Sequence, residues 1–143
     1  MLSKFFSSLL VVLLLLTTNS YCLADFPMMY DLNDALALSE STKQPVVLVF
    51  GAKWCPYCVE LKNDINNGDF SKELDDKIVC YIDIDKHKDL KKEYRIQTLP
   101  DTRYLVSKVE VDQLTGYGKT KFREWIKNAD QKWNNFSIIV NKC

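Results

Sequence analysis

The residues best suited to chemistry in this sequence are Cys55 and Cys58, which lie in the stretch Trp54-Cys55-Pro56-Tyr57-Cys58. A thiol reacts as its thiolate, and a free cysteine has a pKa of about 8.5. At the start of a helix, unpaired backbone N–H groups and the helix dipole favour the anion. A Cys-x-x-Cys spacing adds an S–H donor, and the pKa can then fall to about 3.5–7.5. We expect Cys55 to attack a disulfide and Cys58 to resolve the mixed disulfide.

The residues alone leave two other uses of this pair open. A Cys-x-x-Cys can be half of a zinc site, but structural zinc takes four ligands, usually from a second close pair. The other candidate ligands are Cys80, Cys143 and the single His87, and they form no such pair. We therefore expect no metal and no cofactor. Redox chemistry is favoured over a metal carrier, and over a binding or chaperone module with an inert disulfide.

Two elements must position the cysteines. Residues Val46–Phe50 form a short apolar run rich in β-branched side chains, which predicts a strand covered on both faces. Residues Pro56–Asn66 predict a helix, because a proline is tolerated in a first turn and Asn67-Gly68 ends the pattern. The cysteine pair is thus predicted to lie where a strand gives way to a helix.

The other predicted elements complete a small α/β domain. They are helices at Asp31–Ser41, Lys86–Tyr94 and Lys119–Trp133, a strand at Ile78–Ile84, and a hairpin of Arg103–Val106 and Val109–Asp112 turning at Ser107-Lys108. Strands and helices that alternate before a hairpin and a closing helix predict a central mixed sheet. We expect four or five strands, flanked by about four helices.

The first 24 residues predict a cleaved secretory signal. Lys4 supplies a short positive region, Leu9–Leu16 is an unbroken apolar run, and Cys22-Leu23-Ala24 places small residues at a cleavage site. The run is shorter than the roughly 20 residues that span a bilayer, although an uncleaved anchor remains an alternative. We expect an extracytoplasmic protein, in the periplasm or otherwise secreted, where disulfides persist.

The remaining chain has the size and charge of one globular domain. We divide it into a domain at residues 25–133 and a tail at residues 134–143, in which Phe136–Val140 packs on the domain or adds an edge strand. The formal net charge of the 143 residues is zero, with 19 basic and 19 acidic side chains. Nucleic acid is therefore not an expected partner. We expect a monomer that is not inserted in a membrane once the signal is removed.

The segment Gly51–Cys58, between an apolar strand and a helix, resembles the active-site segment of thioredoxins. A second segment, from Tyr81-Ile82-Asp83-Ile84-Asp85 through a charged helix to Gln97-Thr98-Leu99-Pro100, resembles the second strand and the cis-proline loop of that family. The resemblance covers about residues 30–130 and implies a thioredoxin-like fold. It implies a thiol–disulfide oxidoreductase that acts on protein thiols and disulfides and exchanges electrons with an unidentified redox partner.

The same resemblance implies roles around the cysteines. Pro100 would be cis and face Cys55, and the backbone of Leu99 would pair with the substrate main chain. Trp54, together with Pro56 and Tyr57 between the cysteines, would form the surface on which substrates dock.

Three departures from the family leave the direction of the reaction open, with reduction slightly preferred. Val49 stands where thioredoxins commonly hold a buried aspartate, and the nearby Glu60 is expected to be solvated. Pro-Tyr between the cysteines is the dipeptide of glutaredoxins. Asp101 follows Pro100 where thioredoxins have threonine, and its carboxylate would oppose the ionisation of Cys55 unless it points to solvent.

Two cysteines lie apart from this site. Cys80 is in the middle of the second predicted strand, on the same side as Ile82 and Ile84, and is expected to be a small buried core residue. Cys143 is terminal, and whether it pairs with Cys80, with another chain or with nothing remains open.

Overall fold

The computed structural model describes residues 27–140, which form nine helices and strands. The predicted signal segment and Cys143 lie outside the described residues. In chain order the elements are α1 (Leu32–Thr42), β1 (Val46–Gly51), α2 (Pro56–Asn66), α3 (Ser71–Leu74), β2 (Ile78–Asp83), α4 (Lys88–Glu93), β3 (Asp101–Val106), β4 (Val109–Thr115) and α5 (Lys119–Val140).

The four strands form one mixed sheet in the order β2-β1-β3-β4. β1 is parallel to β2 and antiparallel to β3, and β3 is antiparallel to β4. All residues of β1 are buried, as its continuous apolar run predicts for a strand covered on both faces. The predicted mixed sheet is confirmed, and a single parallel bridge between Met29 and Cys80 lies beside it.

Side-chain alternation divides the core between the two faces of the sheet. One cluster contains Val47 and Val49 of β1 with side chains of α2, α3 and α5. The other contains Leu48 and Phe50 with side chains of α1, the segment before β3, and both cysteines of the Cys-x-x-Cys. Cys80 belongs to this second cluster, as predicted. Cys55 and Cys58 are thus anchored in one of the two core clusters.

Local signals in the sequence account for most element boundaries. Asp31 caps α1 by accepting hydrogen bonds from the backbone N–H groups of Asn33 and Asp34. The hairpin turns at Ser107 and Lys108, as predicted, with φ values of 49° and 69° that suit a tight two-residue turn. The bounds of α2 agree with the predicted ones at both ends.

The closing helix is longer than predicted. The sequence predicts an end at Trp133, but α5 continues to Val140. Residues 134–140 are therefore helical, and of the two alternatives for Phe136–Val140 the edge strand is wrong. The physical reason is that no glycine or proline follows Gly118, so the sequence contains no strong signal to end the helix. The short helix α3 was not predicted. Within residues 27–140, no helix is long and apolar enough to cross a membrane.

Candidate active site

The cysteine pair lies where β1 ends and α2 begins. Cys55 is the N-cap residue of α2 with an extended backbone, and Pro56 occupies the first turn. The sulfurs of Cys55 and Cys58 form a disulfide, with their Cα atoms 5.3 Å apart. The backbone N–H of Cys58 donates a hydrogen bond to Sγ of Cys55 at 3.3 Å. The first sulfur therefore occupies the position of a helix-capping oxygen, where a negative charge is stabilised.

The two sulfurs differ in their access to solvent. Cys55 is 6% exposed, whereas Cys58 is fully buried. A reacting sulfur of a partner must reach the cysteine sulfur from the solvent. Because only Cys55 retains exposed surface, it is the accessible member of the pair. This difference agrees with the predicted order of attack, in which Cys55 reacts first.

The loop before β3 lies beside the pair. The peptide bond between Leu99 and Pro100 is cis, as the family resemblance implied. β3 begins at the next residue, and Asp101 pairs with Phe50 near the end of β1. Leu99 is half-buried and packs against the core cluster that contains Cys55. The antiparallel pairing of β1 with β3 thus brings the loop and the cysteines to the same edge of the sheet.

Within residues 27–140, the backbone of Leu99 is unpaired. Neither its amide nor its carbonyl forms a hydrogen bond there, whereas the carbonyl of the adjacent Pro100 accepts one from Gly116 N–H at 2.8 Å. A free main-chain donor and acceptor can pair with another strand. The geometry is therefore compatible with the expected main-chain contact to a substrate.

Aromatic side chains surround the helix start on the surface. Trp54 is 68% exposed and Tyr57 is 60% exposed, and Pro56 between the cysteines is also exposed. The indole N–H of Trp54 donates a hydrogen bond to the carboxylate of Asp85 at 2.9 Å, which fixes the orientation of the ring. The residues expected to form the docking surface are thus accessible around the disulfide.

Two of the departures noted in the sequence have a structural outcome. Val49 is fully buried in the apolar cluster with Leu61 and Ile65, and Glu60 is exposed, as expected. Thr102, which pairs with Val49 across the sheet, has a buried hydroxyl with no hydrogen-bond partner within the described chain. Leu61, Ile65 and Thr102, neighbours of Val49 within residues 27–140, carry no carboxylate that could replace the missing aspartate.

The environment of Asp101 differs from both arrangements expected. It neither points to solvent nor stands as an unpaired charge: it is 3% exposed and accepts a hydrogen bond from Nε of Arg103 at 2.6 Å. Nε2 of Gln113 also donates to it, at 2.9 Å. The guanidinium compensates the carboxylate, so Asp101 does not act on Cys55 as a free negative charge.

Nothing in the sequence alone identified Arg103 as part of this region. Its guanidinium also donates two hydrogen bonds to Glu110 and one, of 3.1 Å, to the backbone carbonyl of Tyr94. The available signal was the two-residue spacing of Asp101 and Arg103, which places both on one face if the strand begins before the predicted Arg103, as β3 does. The burial of the two side chains could not be predicted, because it depends on a segment remote in sequence that covers them.

The other cysteine of the described chain has no part in the pair. Cys80 is fully buried, and its thiol lies 3.6 Å from the carbonyl oxygen of Asp31. Burial, with a smaller effect from the charge of Asp31, raises the pKa of Cys80 to about 12. Within residues 27–140, no group of histidine, cysteine and acidic residues could hold a metal ion.

Comparison with known proteins agrees with this geometry. The family profile described as Thioredoxin-like matches residues 27–105. Thioredoxin from Equus caballus is 25% identical over 91 residues, which are 64% of this chain and 85% of the horse protein. The solution structure of a thioredoxin from Thermus thermophilus matches with a TM-score of 0.62 and 24% identity, over 71% of this chain and 85% of that chain. A thioredoxin from Nicotiana alata matches with a TM-score of 0.60 and 24% identity, over 71% and 90%.

The fold and the disulfide at a helix start define a thiol–disulfide oxidoreductase in the general sense. Because the matched profile spans more than half of the sequence, the chain belongs to the thioredoxin-like family.

Proposed function

We propose that this chain is an exported oxidoreductase that exchanges disulfides with protein substrates through Cys55 and Cys58, with reduction of substrates as the preferred direction. The observation that carries the proposal is the position of the Cys55 sulfur. This sulfur caps α2, accepts a hydrogen bond from the backbone N–H of Cys58, and belongs to the more exposed of the two cysteines.

In the reductive direction, the Cys55 thiolate attacks one sulfur of a substrate disulfide. A bond forms between Cys55 and that sulfur, the substrate disulfide breaks, and the other substrate sulfur leaves as a thiolate, which takes up the proton that Cys58 gives up in the next step. Cys58 then loses its proton and attacks the Cys55 sulfur, which releases the second substrate thiolate. Two electrons pass to the substrate, and a dithiol redox partner must reduce the protein again.

The proton of Cys58 requires an acceptor in this sequence of steps. Val49 cannot take it, and Glu60 is an exposed side chain on α2. We propose that the departing substrate thiolate accepts the proton directly. Proton transfer at Cys58 would then depend on the leaving thiol and only weakly on any acidic side chain of the protein.

We base the preference for reduction on how few hydrogen bonds reach the Cys55 sulfur. Within residues 27–140, this sulfur, in its disulfide form, accepts one hydrogen bond, from the backbone N–H of Cys58. Oxidants in this fold class owe their high potential to a strongly stabilised reduced form. A weakly stabilised thiolate therefore favours a stable disulfide and a low potential.

The decisive experiment compares Cys55→Ser with Cys80→Ala in the reduction of insulin disulfides. We expect Cys55→Ser to abolish turnover, whereas Cys80→Ala retains it, and Cys58→Ser to accumulate a mixed disulfide through Cys55. Unchanged turnover in Cys55→Ser would refute the proposal, and metal retained in stoichiometric amount by the wild type would favour a metal carrier. The potential of the pair, measured against a glutathione buffer, tests the direction.

Export is supported by the residue pattern at the N-terminus. We expect the protein recovered from the extracytoplasmic fraction of an exporting host to begin at Asp25, and intact mass determines the site of cleavage. If the protein is instead recovered from the membrane fraction with residues 1–24 still attached, it is anchored and not released.

A further inference from the structure

A pocket of about 290 Å³ lies next to the cysteine pair, between α2 and the end of β2. Its wall combines positive charge with aromatic surface, since it is lined by Lys53, Lys62, Lys86, Tyr30, Tyr81 and Asp83. The pocket lies at the same edge of the sheet as Cys55, because β1 and β2 are parallel and Gly51 pairs with Asp83 where the two strands end.

Lys62 is held in a defined position by two aromatic rings. Its Nζ lies 4.8 Å from the ring centroid of Tyr30 and 4.8 Å from that of Tyr81. Such cation–π contacts orient an ammonium group without neutralising it. Lys62 therefore presents its full charge to the pocket.

Gly51 allows Tyr81 to take its place in this wall. A Cβ atom at position 51 would lie 2.7 Å from Cζ of the Tyr81 ring, closer than real Cβ contacts permit. The tyrosine ring thus passes directly over the end of β1. The pocket wall depends on a glycine four residues before Cys55.

The charges around the pocket are not balanced. Within residues 27–140, none of Lys53, Lys62 and Lys86 forms an ion pair, whereas Lys77 and Lys119 each pair with carboxylates. One oxygen of Asp83 already accepts a hydrogen bond from the backbone N–H of Asp85. Three lysines therefore face one acidic group, and the pocket suits an anion.

The surroundings favour a polypeptide as the bearer of that anion. Val59, which lines the pocket, is itself exposed, and the exposed rings of Trp54 and Tyr57 lie around the same helix start. The unpaired backbone of Leu99 offers hydrogen bonds to an extended main chain. An anion bound in the pocket would thus be carried by a chain that also meets the disulfide.

We propose that Lys53, Lys62 and Lys86 form a subsite for the side chain of an aspartate or glutamate that flanks the reactive cysteine of a polypeptide substrate. This inference rests on the proposed function and adds a substrate class to it. The carboxylate would enter beside the Lys62 ammonium while the substrate sulfur meets Cys55.

The test uses the reduced full-length protein and two synthetic peptides, each with one internal disulfide. The peptides are identical except that the residues flanking one cysteine are Glu in the first and Gln in the second. The second-order rate constant for reduction is measured by acid quenching and alkylation at low ionic strength. We expect the Glu peptide to react about fivefold faster, as for a partly exposed charge contact, and the advantage to vanish in 1 M salt.

The variant Lys62→Gln/Lys86→Gln should reduce the ratio of the two rate constants to about one. It leaves Lys53 intact, since Lys53 lies two residues from Cys55 and could affect the thiol itself. Lys127→Gln is the matched control: Lys127 is exposed, forms no ion pair within the described chain, and lies near Lys77 at the opposite end of the sheet. It should keep the full ratio.

The two proposals fail in different ways. If neither peptide is reduced, the proposed oxidoreductase function is wrong. If the Gln peptide is reduced as fast as the Glu peptide by the wild type, the function stands and the acidic subsite is refuted. Equal slowing of both peptides by the double variant would also refute the subsite, because the lysines would then act on the fold or the thiol.

Discussion

The thiol of Cys80 is buried in the core cluster on one face of the sheet, and Cys80 itself forms the parallel bridge with Met29. Burial is the main reason that its pKa rises to about 12, and the charge of Asp31 adds to the effect. Cys55 differs because it lies at a helix start and retains a small exposed surface. Position therefore separates the buried thiol of Cys80 from the cysteine that we propose to be reactive.

This pKa predicts a loss of stability at alkaline pH. The folded protein holds the Cys80 proton more tightly than the unfolded chain, whose cysteines have a pKa of about 8.5, so stability falls as the pH rises from about 8.5 toward 12. At pH 10 the loss is about 2 kcal/mol. Urea unfolding at pH 7 and pH 10 should show a smaller loss in Cys80→Ala than in the wild type. Equal losses of stability in Cys80→Ala and in the wild type would contradict this prediction.

The chemistry of single residues was predictable where it depends on local sequence. The helix start at Cys55 and Pro56 follows from the residues themselves, and so does the burial of Cys80 in an apolar strand. The compensation of Asp101 was not predictable, because it depends on how closely a segment remote in sequence covers the strand.

At the scale of elements, β3 and β4 are joined by a charged group at the edge of the active-site loop. Arg103 is 8% exposed and bonds Asp101 on its own strand, Glu110 on β4, and the carbonyl of Tyr94 after α4. Burial by itself lowers the pKa of the Arg103 guanidinium, but the hydrogen bonds and charges of Asp101 and Glu110 raise that pKa above its usual value. The guanidinium thus links the hairpin to the segment that leads into Pro100.

Arg103→Met should destabilise the protein by about 3 kcal/mol, because it leaves Asp101 buried without its counter-charge. Glu110→Gln is the matched control, since Glu110 is 39% exposed and its loss should cost less than about 1 kcal/mol. Denaturant unfolding at pH 7 measures both. Similar costs for the two variants would show that burial of Asp101 is not the source of the effect.

Most elements could be predicted because their signals are contained within them. The apolar run of β1, the capping Asp31 and the turn at Ser107-Lys108 each define a boundary locally. The pocket beside the disulfide could not be predicted in this way. Its lysines come from three segments, and only the parallel pairing of β1 with β2 brings Lys53 and Lys86 together.

At the scale of the whole molecule, the sheet has two functionally distinct ends. The cysteines, the cis-proline loop and the lysine pocket lie where β1 and β2 end. At the opposite end, Lys77 precedes β2 with its side chain 3% exposed, and its Nζ lies 3.2 Å from the carboxylate of Asp130 on α5. Tyr104 donates a hydrogen bond of 2.5 Å to the same carboxylate.

Asp130→Ala should therefore reduce stability without changing the chemistry. It removes a partner from the buried Lys77 and from Tyr104, at a cost of about 2 kcal/mol, whereas Tyr104→Phe should cost about 1 kcal/mol. Thermal unfolding measures the stability, and the rate of insulin reduction below the unfolding range should stay at the wild-type value. A large loss of that rate would show that the two ends are coupled.

The amide and carbonyl of Leu99 form no hydrogen bond within the described part of the chain, and this has a consequence for the range of substrates that could bind. Main-chain groups are the same in every residue except proline. A partner bound through them is therefore oriented in the same way whatever its side chains are. Such a contact admits many different chains in one common alignment, and it rejects those with proline opposite Leu99, which lack the N–H needed to complete the pairing. Discrimination among the chains admitted must then come from side chains elsewhere on the surface.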